Sequence, residues 1–393
     1  MRIVHIQLRG PYTDNWGYQE NILPRCQVRF GDEVYVIATN LMHKKNGEII
    51  PTDVGEYSLE DGVHVVRIKA KTIFGFDELA LKLGNYKYLR ILEDIKPDII
   101  FVHGLFTGYT SFWQIIKYKK NHDAVVFADN HEFGYFLKER MSLYQMVKRF
   151  ICRLIMKQLC SVYKKVFCMS PIGVEFARDY YSIPSKLISI LPLGFDDQLC
   201  DISKKAEIRS DFRKKNGFDE SDIIIVHGGK IIPRRRTDLA INSVKKLREK
   251  EEKVRLIIFG DIDEGIKKDV KRLILQNKEF VTYMGHLSQK EYLSVFMSCD
   301  IGLFPGAPSS LREEAVGCGL YIVSCNEFDL EYLNVNGNVS VCSHSTKDLS
   351  YEMDSIIKES KYLIENNAAL LEARKKFSYM EMAKRIRKLA IRK

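Results

Sequence analysis

The residues able to do chemistry gather in short glycine-bearing segments, each at the end of an apolar run. The richest is Gly228-Gly229-Lys230-Ile231-Ile232-Pro233-Arg234-Arg235-Arg236-Thr237-Asp238. Its glycines let a phosphate approach the backbone. Lys230 and the arginines supply positive charge, and arginine adds a fork that fits two phosphate oxygens. A solvated basic turn has the same composition, so this segment does not decide by itself. A second segment, Phe259-Gly260-Asp261, runs on to Asp263. Two carboxylates at that spacing can hold Mg²⁺ or Mn²⁺, but near a helix start aspartates serve as caps, and no bound metal is expected. The third is Phe304-Pro305-Gly306-Ala307-Pro308-Ser309-Ser310-Leu311-Arg312-Glu313-Glu314-Ala315-Val316-Gly317-Cys318-Gly319. Ser309 or Ser310 can cap a short helix there, whose open N–H groups would receive a phosphate. An ordinary capped surface helix is the plainer alternative.

The first half carries looser candidates: Arg9–Gly17, His103-Gly104, and Asp129-Asn130-His131-Glu132. The elements needed to position all of these are legible as a repeating pattern. Short β-branched runs (Arg2–Leu8, Glu33–Ala38, Val63–Ile68, Asp98–Val102, Ala124–Ala128, Lys165–Met169) alternate with helix-like stretches (Tyr18–Phe30, Glu78–Glu93, Thr110–Lys120). The second half restarts it. Strands are predicted at Ile223–Val226, Val254–Phe259, Phe280–Met284, Ile301–Phe304 and Tyr321–Ser324, with helices at Thr237–Lys250, Glu264–Gln276, Gln289–Ser298 and Leu311–Gly317. Such alternation implies mostly parallel sheets covered on both faces. Ligands are then expected where loops leave the carboxyl ends of the strands.

A length of 393 residues favours two domains, since single cores rarely grow beyond about 250–300 residues. With 46% apolar and 28% charged residues the composition is that of a globular protein. No run reaches the roughly 20 apolar residues needed to span a bilayer. The opening Met1-Arg2-Ile3-Val4-His5-Ile6-Gln7 is too short and polar for a signal-peptide core and reads as a strand. The nine cysteines are scattered without a Cys-x-x-Cys pair, which suggests neither a zinc site nor a disulfide framework. These features point to a cytoplasmic protein. A net charge of +10 favours phosphate-bearing partners. Nucleic acid is the least supported of them, because no interleaved basic and aromatic stacking motif is present.

The order and spacing of the three second-half segments resemble the family 4 glycosyltransferases, retaining enzymes of the GT-B fold. Their "GR(L)xPxKG" turn has Lys230 here in place of its Arg and Arg235 in place of its Lys. The resemblance therefore gives the pair a diphosphate-clamping role. Tyr283–Ser288 resembles the family's "xxGxxs" strand end, and Cys299–Pro305 its "aDigl.P" strand. Glu314-Ala315-Val316-Gly317-Cys318-Gly319 matches the "EAxxxG" ending of its E-x7-E motif. Glu314 is thus implied to bind the nucleotide ribose. The first carboxylate of that motif is replaced by Gly306, which leaves sugar contacts to the backbone of Gly306–Ser310 and the donor sugar undetermined. Gly229 and Gly260 complete the implied donor set, with Gly17 in the family's first glycine-bearing loop.

On the acceptor side the resemblance is looser. Asp32–Val36 is similar to the "GHEVxV" strand, and His131 matches the strand-end histidine near the acceptor hydroxyl, with His103 and Glu132 beside it. Met169-Ser170 and Pro192–Asp196 resemble the markers that close the first domain. What the resemblance implies is an α/β GT-B architecture of two Rossmann-like domains facing a central cleft. An acceptor domain would span residues 1–195 and a donor domain residues 196–376. Residues 377–393 would form a last helix crossing back to the first domain. The implied activity is hexosyl transfer from a nucleotide diphosphate, UDP being expected, to a glycan or lipid-linked acceptor, without a metal cofactor. A sugar-nucleotide epimerase of the same fold and a catalytically silent GT-B partner subunit stay open. Finally, Lys138–Lys165 holds eight cations against Glu139. Arg149, Arg153 and Lys157 share one helix face, opposite an apolar stripe of Leu143, Val147, Phe150, Ile151, Leu154, Ile155 and Val162. The segment suits peripheral contact with an anionic membrane. The alternative is that its apolar stripe packs on a sheet and its basic face meets water.

Overall fold

The computed structural model describes residues 1–44, 47–132, 141–325, 330–361 and 367–391. The chain divides into two compact units, residues 1–192 with 382–393, and residues 193–381.

Unit 1 runs β1 (Arg2–Gln7), α1 (Gln19–Arg29), β2 (Glu33–Thr39), β3 (Leu41–His43), β4 (Ile49–Pro51), β5 (Gly55–Ser58), β6 (His64–Ile68), α2 (Asp77–Leu83) and α3 (Leu89–Ile95). It continues with β7 (Ile99–Val102), α4 (Trp113–Asn121), β8 (Val125–Asn130), α5 (Leu143–Leu159), β9 (Tyr163–Cys168), α6 (Pro171–Asp179) and β10 (Ile188–Ile190). Eight strands form one sheet in the order β10-β9-β8-β7-β1-β2-β6-β5, parallel except for the β5–β6 pair. β7 is buried at all four positions, the signature of a strand covered on both faces. The strand order reverses between β1 and β7. Loops leaving both strands open a crevice there.

Two sequence expectations change in this unit. The helix anticipated over Glu78–Glu93 is two helices. Gly84 ends α2 in a left-handed conformation, φ +64°, and a Cβ there would lie 2.7 Å from the Gly108 Cα. The close approach and the turn both require glycine. The other change is in α5, started by a reciprocal Ser142–Gln145 capping box. Arg149 and Arg153 do not form an outward basic face. Their guanidinium groups donate to the carbonyls of Asp179 and Tyr180 at the end of α6, where cations suit the helix dipole. The apolar stripe also splits. Ile155 packs inward with Cys152, Met156 and Leu159, whereas Leu143, Val147, Phe150, Ile151 and Leu154 are exposed. Lys138, Glu139 and Arg140 lie outside the described residues.

Unit 2 runs α7 (Lys205–Asn216), β11 (Ile223–Gly228), α8 (Thr237–Arg248), β12 (Val254–Phe259), α9 (Lys267–Gln276), β13 (Val281–Tyr283), α10 (Gln289–Ser298) and β14 (Ile301–Phe304). Then come α11 (Leu311–Gly317), β15 (Tyr321–Cys325), β16 (Val339–Cys342), α12 (Thr346–Lys358), α13 (Asn367–Phe377) and α14 (Tyr379–Ile391), whose residues from Met382 onward belong to unit 1. The six strands are all parallel, in the order β13-β12-β11-β14-β15-β16. That is the 3-2-1-4-5-6 order of a Rossmann domain, with its reversal between β11 and β14. No described helix is long and apolar enough to cross a membrane.

Candidate active site

In unit 2 the three glycine-bearing segments leave neighbouring strands and are stitched together by main-chain hydrogen bonds. Gly229 N–H donates to Phe259 O at 3.2 Å, Ile231 N–H to Asp261 O at 2.8 Å, and Gly260 N–H to Gly285 O at 2.6 Å. Gly260 has φ +119°, and a Cβ on it would lie 2.0 Å from Gly229 O. Only glycine allows the two loops to touch. Across the reversal, Ala307 N–H donates to Arg234 O at 2.8 Å, and the Arg235 guanidinium donates to Ala307 O. Arg235 therefore ties the β11 loop to the β14 loop. Lys230 is exposed and makes no ion pair among the described residues. His227 holds the base of the site, joining Leu303 O at 2.9 Å and Thr237 Oγ1 at 3.0 Å. Burial, against the pull of that carbonyl, lowers its pKa to about 4.

Gly306 explains the absent carboxylate. A Cβ at this position would stand 2.4 Å from both Arg234 O and the Arg235 carbonyl carbon. The basic turn occupies the space a side chain would need. Of the two serines, Ser309 Oγ accepts from Leu311 N–H at 3.4 Å. Ser310 is exposed and its side chain makes no cap.

Glu314 is 4% exposed. Its Oε1 accepts from Gln289 Nε2 and Tyr292 OH, both at 3.0 Å, while Oε2 has no partner. Burial outweighs those two hydrogen bonds, and the neighbouring Glu313 adds repulsion, so the carboxyl is pushed up to about 8. Glu313, which the helix period puts on another face, is buried as well. Its Oε1 accepts from Tyr332 OH and its Oε2 lacks a partner. Each of these two buried carboxyls thus keeps one oxygen without a partner, which costs stability unless a ligand's donors complete it. The Asp261–Asp263 pair is engaged otherwise. Asp261 pairs with His286 at 2.8 Å, and Asp263 Oδ1 accepts from Gly265 N–H at 3.0 Å.

In unit 1 a crevice of about 330 Å³ opens at the β1–β7 reversal. Gln7, Arg9, Glu20, His103, His131 and Glu132 are among its lining residues. Gly17 is exposed two positions before α1 and is not among them. Beneath the crevice runs a chain of buried polar groups. His5 joins Gln27 Oε1 at 2.6 Å and, through Nδ1, His103 Nε2 at 3.0 Å. His103 Nδ1 donates to Asp129 Oδ2 at 2.8 Å, and Gly104 N–H donates to Asp129 Oδ1 at 2.7 Å. His131 Nε2 lies 3.3 Å from the same Oδ2. Both ring nitrogens of His5 are thus engaged, one by Gln27 and one by His103. Burial, reinforced by repulsion from His103, lowers His5 to about 3 and keeps it neutral. Burial alone would raise Asp129, but the charges and hydrogen bonds of His131 and His103 hold it below the usual carboxylate range. Desolvation works against a charged His131. Asp129 prevails, and the pKa rises to about 9. Glu132 accepts from Tyr181 OH.

Sequence reading found His103, His131 and Glu132 but gave no role to Asp129 or His5. The available signal was a histidine inside the apolar run of β1, where a polar side chain must find a buried partner. His103, Asp129 and His131 bring ligand atoms within 4.8 Å of one another, the spacing a metal would need. Yet His103 spends both nitrogens on Asp129 and His5. The donors left over fall short of the four ligands of a zinc site.

A Rossmann unit with stitched phosphate-type loops, joined to a second α/β unit with a polar crevice at its own strand reversal, defines the GT-B class of glycosyltransferases. The sequence comparisons agree. A model described as glycosyl transferases group 1 matches residues 208–377, and one described as glycosyltransferase family 4 matches residues 23–199. The chain belongs to the family 4 glycosyltransferases. Comparison with curated proteins finds no match. Among solved structures, a glycosyltransferase from Rickettsia africae ESF-5 is 15% identical with TM-score 0.70, covering 99% of this chain and 97% of that one. Anabaena HepE in complex with UDP is 14% identical with TM-score 0.69, covering 99% of both chains. The catalytic domain of Arabidopsis thaliana starch synthase IV, bound to ADP and acarbose, is 14% identical with TM-score 0.65, covering 100% and 99%. At such identities the likeness speaks to the fold.

Proposed function

We propose that this glycosyltransferase is a retaining enzyme moving a hexose from a nucleotide diphosphate, UDP in the first place, to a hydroxyl of a glycan or lipid-linked acceptor. The pathway would be surface polysaccharide or glycolipid synthesis on the cytoplasmic side. The bond from the anomeric carbon to the diphosphate oxygen breaks, a bond to the acceptor oxygen forms on the same face, and the acceptor proton leaves with the diphosphate. The observation that carries the reading is Glu314, buried with one oxygen held and the other open. A ribose diol supplies the missing donors. Anabaena HepE with UDP and starch synthase IV with ADP are consistent with a nucleotide here.

Charge on the departing diphosphate is stabilised by Lys230, with Arg235 holding the loops in register. No metal takes part in this scheme. His131, protonated through neutral pH, cannot serve as a base, and acts by donating a hydrogen bond that orients sugar or acceptor.

Two variants separate these roles. Lys230→Ala removes one charged hydrogen bond, about 1.5–3 kcal/mol. It should slow transfer roughly 10- to 150-fold while leaving the melting temperature unchanged, because the side chain is exposed. Arg235→Ala should lower both rate and melting temperature. Wild-type turnover in Lys230→Ala would remove the clamp from the scheme.

A further inference from the structure

Two thiols meet at the far end of the helix that carries Glu314. Cys318 closes α11, and its N–H donates to Glu314 O at 2.9 Å. Cys200 lies in the irregular segment that leads into α7, and its Sγ stands 3.2 Å from Cys318 Sγ. Both are buried, and both are free thiols.

A buried thiol in apolar surroundings is inert. This pair has cations beside it. The Arg374 guanidinium donates to Cys200 Sγ at 3.4 Å, to Cys200 O at 2.8 Å and to Gly317 O. Lys205 Nζ donates to Cys318 O at 3.0 Å and to Gly319 O at 3.3 Å. These bonds go to carbonyls and to sulfur, which leaves positive charge to favour a thiolate at Cys200. The hydrogen bond from Cys318 favours that thiolate against burial, Arg374 and Lys205 add to it, and the Cys200 thiol is lowered from its ordinary value. Burial raises Cys318, which stays a thiol. A thiolate touching a thiol is the arrangement that oxidation closes into a disulfide.

The packing leaves α11 little slack. A Cβ on Gly317 would lie 2.1 Å from Phe195 Cδ1, so the last turn of the helix already touches that ring. Bond formation requires the two sulfurs to approach by about 1 Å. Cys318 is one helical turn beyond Glu314. A pull on it shifts the carboxyl against Gln289 and Tyr292, its donors on α10.

We propose that Cys200 and Cys318 are a redox-active dithiol, which a peroxide converts to a disulfide that displaces α11 and weakens nucleotide binding at Glu314. The Cys200 thiolate attacks one peroxide oxygen and the O–O bond breaks. The departing hydroxide takes a proton from solvent and becomes water, which leaves Cys200 as a sulfenic acid. The Cys318 sulfur then attacks the Cys200 sulfur. Its S–H proton leaves with the displaced oxygen as a second water. The thiol pair has lost two electrons and the peroxide has gained them. A dithiol reductant restores both thiols by exchange. Peroxide is small, and irregular segments such as the one around Cys200 are where local opening costs least. Only the effect on nucleotide affinity rests on the reading of Glu314; formation of the disulfide does not.

The test treats the reduced full chain with hydrogen peroxide under native conditions, then blocks remaining thiols in denaturant and maps them by mass. The peptides holding Cys200 and Cys318 should be joined, and dithiothreitol should separate them. UDP affinity of the same samples should fall roughly tenfold, the scale of a lost charged hydrogen bond, and recover with dithiothreitol. Cys200→Ser should keep the affinity of the reduced wild type with and without peroxide. In Cys318→Ser the oxidation should stop at a Cys200 sulfenic acid, trapped by dimedone. Two thiols still free once Met146, 50% exposed, has been oxidised would overturn the proposal. So would a joined pair that binds UDP as the reduced protein does. Failure of the reduced wild type to bind UDP would count against the glycosyl-transfer reading and leave the disulfide, read by mass, standing.

Discussion

At the residue scale, one carboxylate organises the unit 1 crevice. Asp129 takes a hydrogen bond from His103 and another from Gly104 N–H, and it faces His131 at 3.3 Å. Its pairing raises His131 from the ordinary 6.5 to about 9. A group raised in this way contributes stability that is complete below pH 6.5 and is lost as the pH climbs through about 9. Transfer should fade over the same alkaline range if the imidazolium is the working form. Asp129→Asn removes the charge and keeps the shape. It should return the His131 titration toward 6.5 or below, followed by NMR of the imidazole C–H. It should also slow transfer roughly 10- to 150-fold, as expected for a lost charge-assisted hydrogen bond. An unchanged His131 titration in this variant would mean that Asp129 is not its partner. This network was only half legible in the sequence. His103, His131 and Glu132 stand at strand ends, where loop chemistry is expected. His5 and Asp129 become meaningful only once β1, β7 and β8 lie side by side, a long-range pairing no local pattern contains.

At the element scale, the donor-side loops act as one unit because glycines let their backbones touch. Strands β11, β12, β14 and β15 and helices α8, α10 and α11 were readable from apolar runs and capping residues. β16 was not, since Val339–Cys342 is only partly buried and lacks a long apolar run. The break after α2 depended on the contact between Gly84 and Gly108, again a matter of packing. The outward turn of α5 was hidden for a related reason. Its pattern contains two apolar sectors, and sequence alone does not say which one the core takes. Gly306 shows the same limit at the site itself. In the sequence it is a missing carboxylate, whereas in the fold it is a contact point between two loops. Gly306→Glu should therefore fail to improve the enzyme. With its Cβ 2.4 Å from Arg234 O, the overpacked loop should cost about 1–3 kcal/mol in stability and weaken nucleotide binding. Thermal melts and UDP titration check this. Faster transfer at an unchanged melting temperature would mean that the basic turn can move aside.

At the scale of the whole molecule, unit 1 is completed by the end of the chain. Met382, Ala383 and Ile386 are buried, and Arg387 donates to Phe30 O at 3.2 Å and to Asp32 Oδ1 at 2.8 Å. The Asp32 side chain is 1% exposed and also holds the ammonium of Met1 at 2.9 Å. Arg387→Ala should cost roughly 1.5–3 kcal/mol, read as a lower urea midpoint, with UDP affinity preserved because the change lies in the other unit. An unaltered midpoint would show that the Met1 ammonium suffices. The central claim is that unit 2 takes a nucleoside diphosphate through Glu314. Its most direct test is calorimetric titration of the wild type and Glu314→Gln with UDP between pH 6.5 and 8.5. In the unliganded protein the carboxyl titrates near 8, and the ribose hydroxyls favour its charged form. Wild-type affinity should therefore rise with pH until about 8 and then level, with proton release on binding. Glu314→Gln should bind at least tenfold more weakly and without that pH dependence. Failure of UDP and other nucleoside diphosphates to bind the wild type, or equal binding by Glu314→Gln across the range, would contradict the account.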